Sequence, residues 1–70
     1  MKNSLQCRFG AHLRRIRLDK GVSQEGLAEL ANLHRTYVSS VERGERNVTL
    51  ETIGKLAKAL GISMSKLMPD

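Results

Sequence analysis

Seventy residues make one domain, and a chain of this length buries roughly 60% of the surface its unfolded form exposes, so its stability margin is thin. A single cysteine, Cys7, and two widely spaced histidines, His12 and His34, exclude a disulfide framework and a metal cluster, leaving a compact helical core reinforced by dimerisation as the economical solution. Twelve Lys/Arg against seven Asp/Glu give a net charge of +5, which favours polyanions, while one Phe, one Tyr and no Trp exclude the aromatic platforms of a single-strand nucleic-acid binder.

No run of about 18 apolar residues crosses the sequence, so no membrane span is expected. The opening MKNSLQCRFG lacks the apolar core of a signal peptide, and with a lone thiol the expected location is the cytoplasm. The chain holds no nucleophile–base constellation, glycine-rich phosphate loop or carboxylate dyad. It therefore reads as a non-enzyme, without cofactor, metal or small-molecule ligand. Cys7, His12 and His34 read as packing or solvent-facing side chains.

In chain order, residues 1–4 are expected to fray. Leu5, Phe9, Leu13 and Ile16 then fall on one stripe of an amphipathic helix, ended by the Lys20-Gly21 pair. Arg8, Arg14, Arg15 and Arg17 cover much of its remaining surface, as a solvated face or as phosphate contacts. Ser23 is placed to cap a second helix whose first turn holds Gln24 and Glu25. Leu27, Ala28, Leu30 and Ala31 form its expected buried side, and Gly26 a weak point costing up to about 1 kcal/mol in a helix interior. Asn32 suits a left-handed turn, and Leu33 is expected to plug that turn into the core.

A third helix begins at His34 or Arg35 and ends before Gly44, its C-terminal cap. Val38 and Val41 face inward, which leaves Arg35, Thr36, Ser39, Ser40 and Arg43 outward with Tyr37 on the flank. Short polar side chains let such a helix approach another surface closely, and a major groove about 12 Å wide admits one. Thr49 caps a fourth helix, Leu50–Leu60, with Ile53, Leu56, Ala57 and Leu60 buried and Gly61 closing it. Ser63 caps a last short helix over residues 64–68. The fold class is all-α: five helices in one domain spanning residues 1–70.

The segment SQEGLAELANLHRTYVSSVERG, residues 23–44, carries a resemblance. With Gly21, Ser23-Gln24, Leu27-Ala28, the RTYVS run, Glu42-Arg43-Gly44 and RNVTLETIGKLAKALGIS, it resembles the lambda-repressor/Cro-type, or xenobiotic-response-element-type, helix-turn-helix regulators. Size and the HRTYVSSVERGERNVTL stretch look most like restriction-modification controller proteins; phage repressors and antitoxins share much of it. The likeness runs from about residue 5 to residue 68. Gly26 and Val48 depart from it, since the family usually has a better helix former and often a proline there.

The resemblance implies a lambda-repressor-like domain whose second and third helices form the helix-turn-helix, with the third in the major groove. Arg35, Thr36, Ser39 and Ser40 are then the base readers, Arg35 through its fork to a guanine. Gln24 at a helix N-terminus, Tyr37, Arg43, Arg46 and Asn47 grip the phosphate backbone, with a narrow minor groove the alternative for Arg46. Arg17 and Glu42 form an ion pair tying the first helix to the third, or else stand as two exposed charges. One such helix reads half a site, so a homodimer is implied, with Ile62, Met64, Leu67 and Met68 at its interface. The expected function is a transcriptional regulator that binds a pseudo-palindromic double-stranded operator and represses, or activates by touching RNA polymerase. The alternative is a helical module that binds a partner protein, as an antitoxin does.

Overall fold

A computed structural model describes residues 4–69. Among them, five helices follow in order: α1 (Leu5–Asp19), α2 (Gln24–Ala31), α3 (Arg35–Glu42), α4 (Leu50–Leu60) and α5 (Met64–Leu67). Their starts are written locally in the sequence. Ser23, Thr49 and Ser63 sit in extended backbone, and each side-chain oxygen accepts the N–H three residues on, satisfying a donor the first turn leaves open. Ser4 does the same for Cys7 N–H at 3.2 Å. The expected fraying of residues 1–4 therefore fails at Ser4, which caps α1, and its remainder falls on residues outside those described. His34 precedes α3 without a side-chain cap bond.

Left-handed backbone follows four of the helices, at Gly21, Asn32, Gly44 and Gly61, and two of these turns shape the site. Asn32 ends α2 at φ 57°, and its N–H bonds back to Glu29 O, turning the chain toward α3 within three residues. Gly44 follows the α3 cap Arg43 at φ +77°, with its own N–H on Val41 O and that of Glu45 on Ser40 O. Gly26 is not the interior weak point expected: it is the third residue of α2, and its N–H is the one Ser23 Oγ caps. A Cβ there would stand 3.1 Å from that oxygen, a tight contact with a side-chain atom.

The core is one cluster drawn from all five helices: Phe9 and Leu13; Leu27, Ala28 and Ala31; Val38 and Val41; Ile53, Leu56, Ala57 and Leu60; and Leu67. Ile16, Val22, Leu33, Tyr37, Val48 and Ile62 pack against its edge. Two expected core residues are outside it. Leu30 is 64% exposed, because the buried positions 27, 28 and 31 centre the inner face of α2 and residue 30 lies about 100° round the helix from that centre. Leu5 is 57% exposed, since the first residue of α1 overhangs the end of the cluster.

α3 is pressed between α1 and α2, and α2 in turn packs on α4. The contact with α1 is made main chain to main chain. A Cβ on Gly10 would lie 2.3 Å from Val41 O and 2.7 Å from Glu42 O, so only a bare Cα fits there. Gly44 also meets α1 closely, its missing Cβ falling 2.8 Å from Cys7 Cα and 2.6 Å from Cys7 Sγ. His12 Nε2 lies 2.9 Å from Lys66 O and joins α1 to α5.

Candidate nucleic-acid interface

With Val38 and Val41 driven into the core, helical geometry turns the opposite side of α3 to solvent. Arg35 and Thr36 are exposed there, one turn before Ser39. Both belong to the N-terminal turn of this eight-residue helix.

Ser40 is not on that face. It is 8% exposed, its Oγ donates to Tyr37 O at 2.9 Å, and it accepts from Arg46 Nε at 3.3 Å. Position 40 lies about 100° round the helix from Val41, on the Tyr37 flank, where the returning Arg46 side chain covers it. Its task is to seat Arg46, whose guanidinium also stacks over the Tyr37 ring at 5.5 Å from the centroid. Tyr37 is half-buried against the core while its ring carries Arg46. Asn47 follows, exposed.

Arg43 is exposed as expected, but its fork is engaged within the chain. Nε and Nη2 donate to Glu45 Oε2 and Oε1, each at 3.1 Å, and Nη1 donates to Ser39 Oγ at 2.6 Å. The hydrogen bonds and charge of Glu45 hold the Arg43 guanidinium pKa above its ordinary value. Glu45 had no place in the sequence reading. It is two residues past Arg43, a separation that does not bring side chains together on a helix, and it returns to the helix end only because Gly44 reverses the backbone.

The Arg17–Glu42 pair forms, and it is buried. Arg17 Nε donates to Glu42 Oε2 at 2.6 Å and Nη2 to Oε1 at 3.0 Å, with side-chain exposures of 7% and 2%. Arg17 Nη1 donates to Val22 O at 2.8 Å, so one guanidinium ties α1, the α1–α2 loop and the end of α3. Gln24 Nε2 completes the carboxylate's shell at 3.0 Å from Oε1. That bond redirects the side chain expected to meet a phosphate. What Gln24 offers outward is its backbone N–H, at the positive start of α2.

The apolar face expected on the last helix is also redistributed. Met64 and Met68 are each 39% exposed and Ile62 is half-buried, but Leu67 is fully buried, a core residue with nothing left for a partner. The four-residue α5 has one inward position, and Leu67 takes it. Leu50, read in the sequence only as the first residue of its helix, is 75% exposed. It lies one turn before Gly54 on α4, and Met64 Sδ passes 3.8 Å from where a Gly54 Cβ would stand. Leu50, Gly54 and Met64 thus form one apolar strip.

The helix-turn-helix family profile matches residues 13–67. The chain belongs to the helix-turn-helix family. This helix-turn-helix protein is a DNA-binding transcriptional regulator, and α2 and α3 are its namesake pair. It is 49% identical over 69 residues to control protein C.BamHI of Bacillus amyloliquefaciens, covering 97% of this chain and 85% of the relative. It is 56% identical over 57 residues to control protein C.SmaI of Serratia marcescens, covering 81% and 68%. The crystal structure of the restriction-modification controller protein C.AhdI from Aeromonas hydrophila superposes with a TM-score of 0.88 at 52% identity, covering 90% of this chain and 96% of that one. The lambda-repressor/Cro-type resemblance, the all-helical fold and the regulator class read from the sequence agree with these likenesses.

Proposed function

We propose that this regulator binds a pseudo-palindromic double-stranded operator as a homodimer, in the cytoplasm, and governs the genes of a restriction-modification system. The observation that carries the reading is the solvent face of α3, where Arg35, Thr36 and Ser39 stand clear of a helix whose other side is fixed in the core. Arg35 is the principal base reader, through a two-pronged bond to guanine O6 and N7. Thr36 offers a methyl to thymine or a hydroxyl to a base edge, and Ser39 a hydroxyl one turn on. Tyr37, Arg46 and Asn47, with the backbone N–H of Gln24, hold the phosphates on either side.

The strip of Leu50, Gly54 and Met64, together with the exposed Met68 and the half-buried Ile62, supplies the surface through which two copies join. A dimer sets its two reading helices on half-sites about 34 Å apart. Repression follows from occupying a promoter, and activation from touching RNA polymerase beside it. The deciding experiment is selection of bound duplexes from random DNA, followed by footprinting. The expected product is an inverted repeat with half-sites about one helical turn apart, bound with an affinity that falls steeply with salt. Recovery of no enriched sequence, or an association indifferent to salt, overturns the reading.

A further inference from the structure

The end of α3 carries contacts that the fold does not need. The Arg43 and Glu45 side chains are each 57% exposed, and exposed ion pairs add little to stability. Yet the pair is joined at two points, and the same guanidinium reaches back one turn to Ser39 Oγ at 2.6 Å. Two consequences follow from elementary hydrogen-bond chemistry. A serine hydroxyl has one O–H to give and lone pairs to receive with. A charged N–H occupying the receiving side makes a short, strong bond and polarises the O–H toward donation. At the same time the arginine fork, which in isolation would meet any phosphate within reach, already has a carboxylate.

We propose that Glu45 is a specificity-determining positioning residue: by holding Arg43 across the end of α3, it biases Ser39, one of whose two lone pairs is then taken, toward reading a base edge as a hydrogen-bond donor, and withholds Arg43 from the phosphate backbone. The proposal rests on the DNA-reading face assigned above. Ser39 lies four residues beyond Arg35, on the same line of the helix. As a donor it suits guanine or thymine, whose major-groove edges present acceptors, and it disfavours cytosine, which presents an amine. Keeping Arg43 from the backbone lowers the sequence-independent part of the affinity, because that part scales with the number of phosphates neutralised. Selectivity rises through weaker binding to the wrong DNA.

The test compares the wild-type chain, Glu45→Gln, Arg43→Ala and the double variant. Each is titrated with the duplex selected from random DNA, with its single-base variants, and with a scrambled duplex of equal composition, over a series of KCl concentrations. In Glu45→Gln the released Arg43 takes a phosphate. The log–log salt slope then steepens by about 0.9, scrambled duplex binds about tenfold more tightly at low salt, and the selected-to-scrambled ratio falls about tenfold. Its preference against cytosine at the base facing Ser39 weakens, while the melting temperature stays within about 3 °C of wild type. In the Arg43→Ala background the same substitution leaves base preference and salt slope where they were. A Glu45→Gln protein with wild-type slope, ratio and base preference overturns the proposal and leaves operator binding standing. So does a change in base preference that persists without Arg43. A wild-type chain that does not prefer the selected duplex overturns the DNA-reading face, and this proposal with it.

Discussion

Arg35 and Gly10 mark the two extremes of what a single position does in this molecule. Arg35 is exposed and holds no core residue in place, so its loss should act on recognition alone. Arg35→Ala is expected to cost about 1–3 kcal/mol of discrimination at the guanine it faces, with thermal melting unchanged. Parallel operator titrations and melting curves check both halves. Gly10 touches no ligand, yet every larger residue there collides with the carbonyls of Val41 and Glu42. Backbone cannot step aside as a side chain can. Gly10→Ala is expected to destabilise by about 2 kcal/mol or more, a fall of at least about 8 °C in melting temperature. A melting curve matching wild type would mean that α1 shifts freely on α3. Ser39 and Ser40 show how finely position divides roles: adjacent, chemically identical, and each seating a different arginine, the first on the solvent face and the second inside.

At the scale of the element, α3 is held by one buried carboxylate. Glu42 receives two bonds from Arg17 and one from Gln24, from two other helices. Removing its charge strands the Arg17 guanidinium in a site with 7% side-chain exposure. Glu42→Gln is expected to cost about 3–5 kcal/mol, most of the stability of a domain this small. Urea unfolding checks it, and an unshifted midpoint would remove the pair from the account of stability. The helices themselves were legible in the sequence, because serine and threonine caps, left-handed Asn32 and Gly61, and apolar stripes are local signals. The outward face of α3 followed from Val38 and Val41. What escaped depends on how helices sit against one another. Leu30 and Ser40 lie on helix flanks, where a modest rotation decides inside from outside. Leu67 reads as spare apolar surface until α1 and α4 are seen to pack on its helix, and Glu45 meets Arg43 only after a backbone reversal that sequence spacing does not reveal.

For the molecule as a whole, the proposed reading face and the proposed dimer strip are carried by different helices. Leu50 belongs to α4 and Met64 to α5, whereas Arg35 belongs to α3. The double variant Met64→Lys/Met68→Lys changes two residues already 39% exposed, so the monomer fold should persist. It is expected to sediment as a monomer at micromolar concentration and to bind operator at least about tenfold more weakly, while circular dichroism stays helical. Wild-type sedimentation by the variant would place the dimer contact elsewhere. The net charge of +5 acts at this scale too, drawing the chain to DNA of any sequence before bases are read.

The guanidinium of Arg17 bonds at once to α3 and to the carbonyl of Val22 in the loop before α2. Its consequence is modularity, or the lack of it. The helix-turn-helix segment is not a cassette that could be lifted out and grafted, because its alignment is supplied by a side chain from outside it. What is portable is the opposite part: Arg35, Thr36 and Ser39 can be exchanged without touching that anchor. On the proposed reading face, those three side chains can change while the frame that Arg17 fixes stays put.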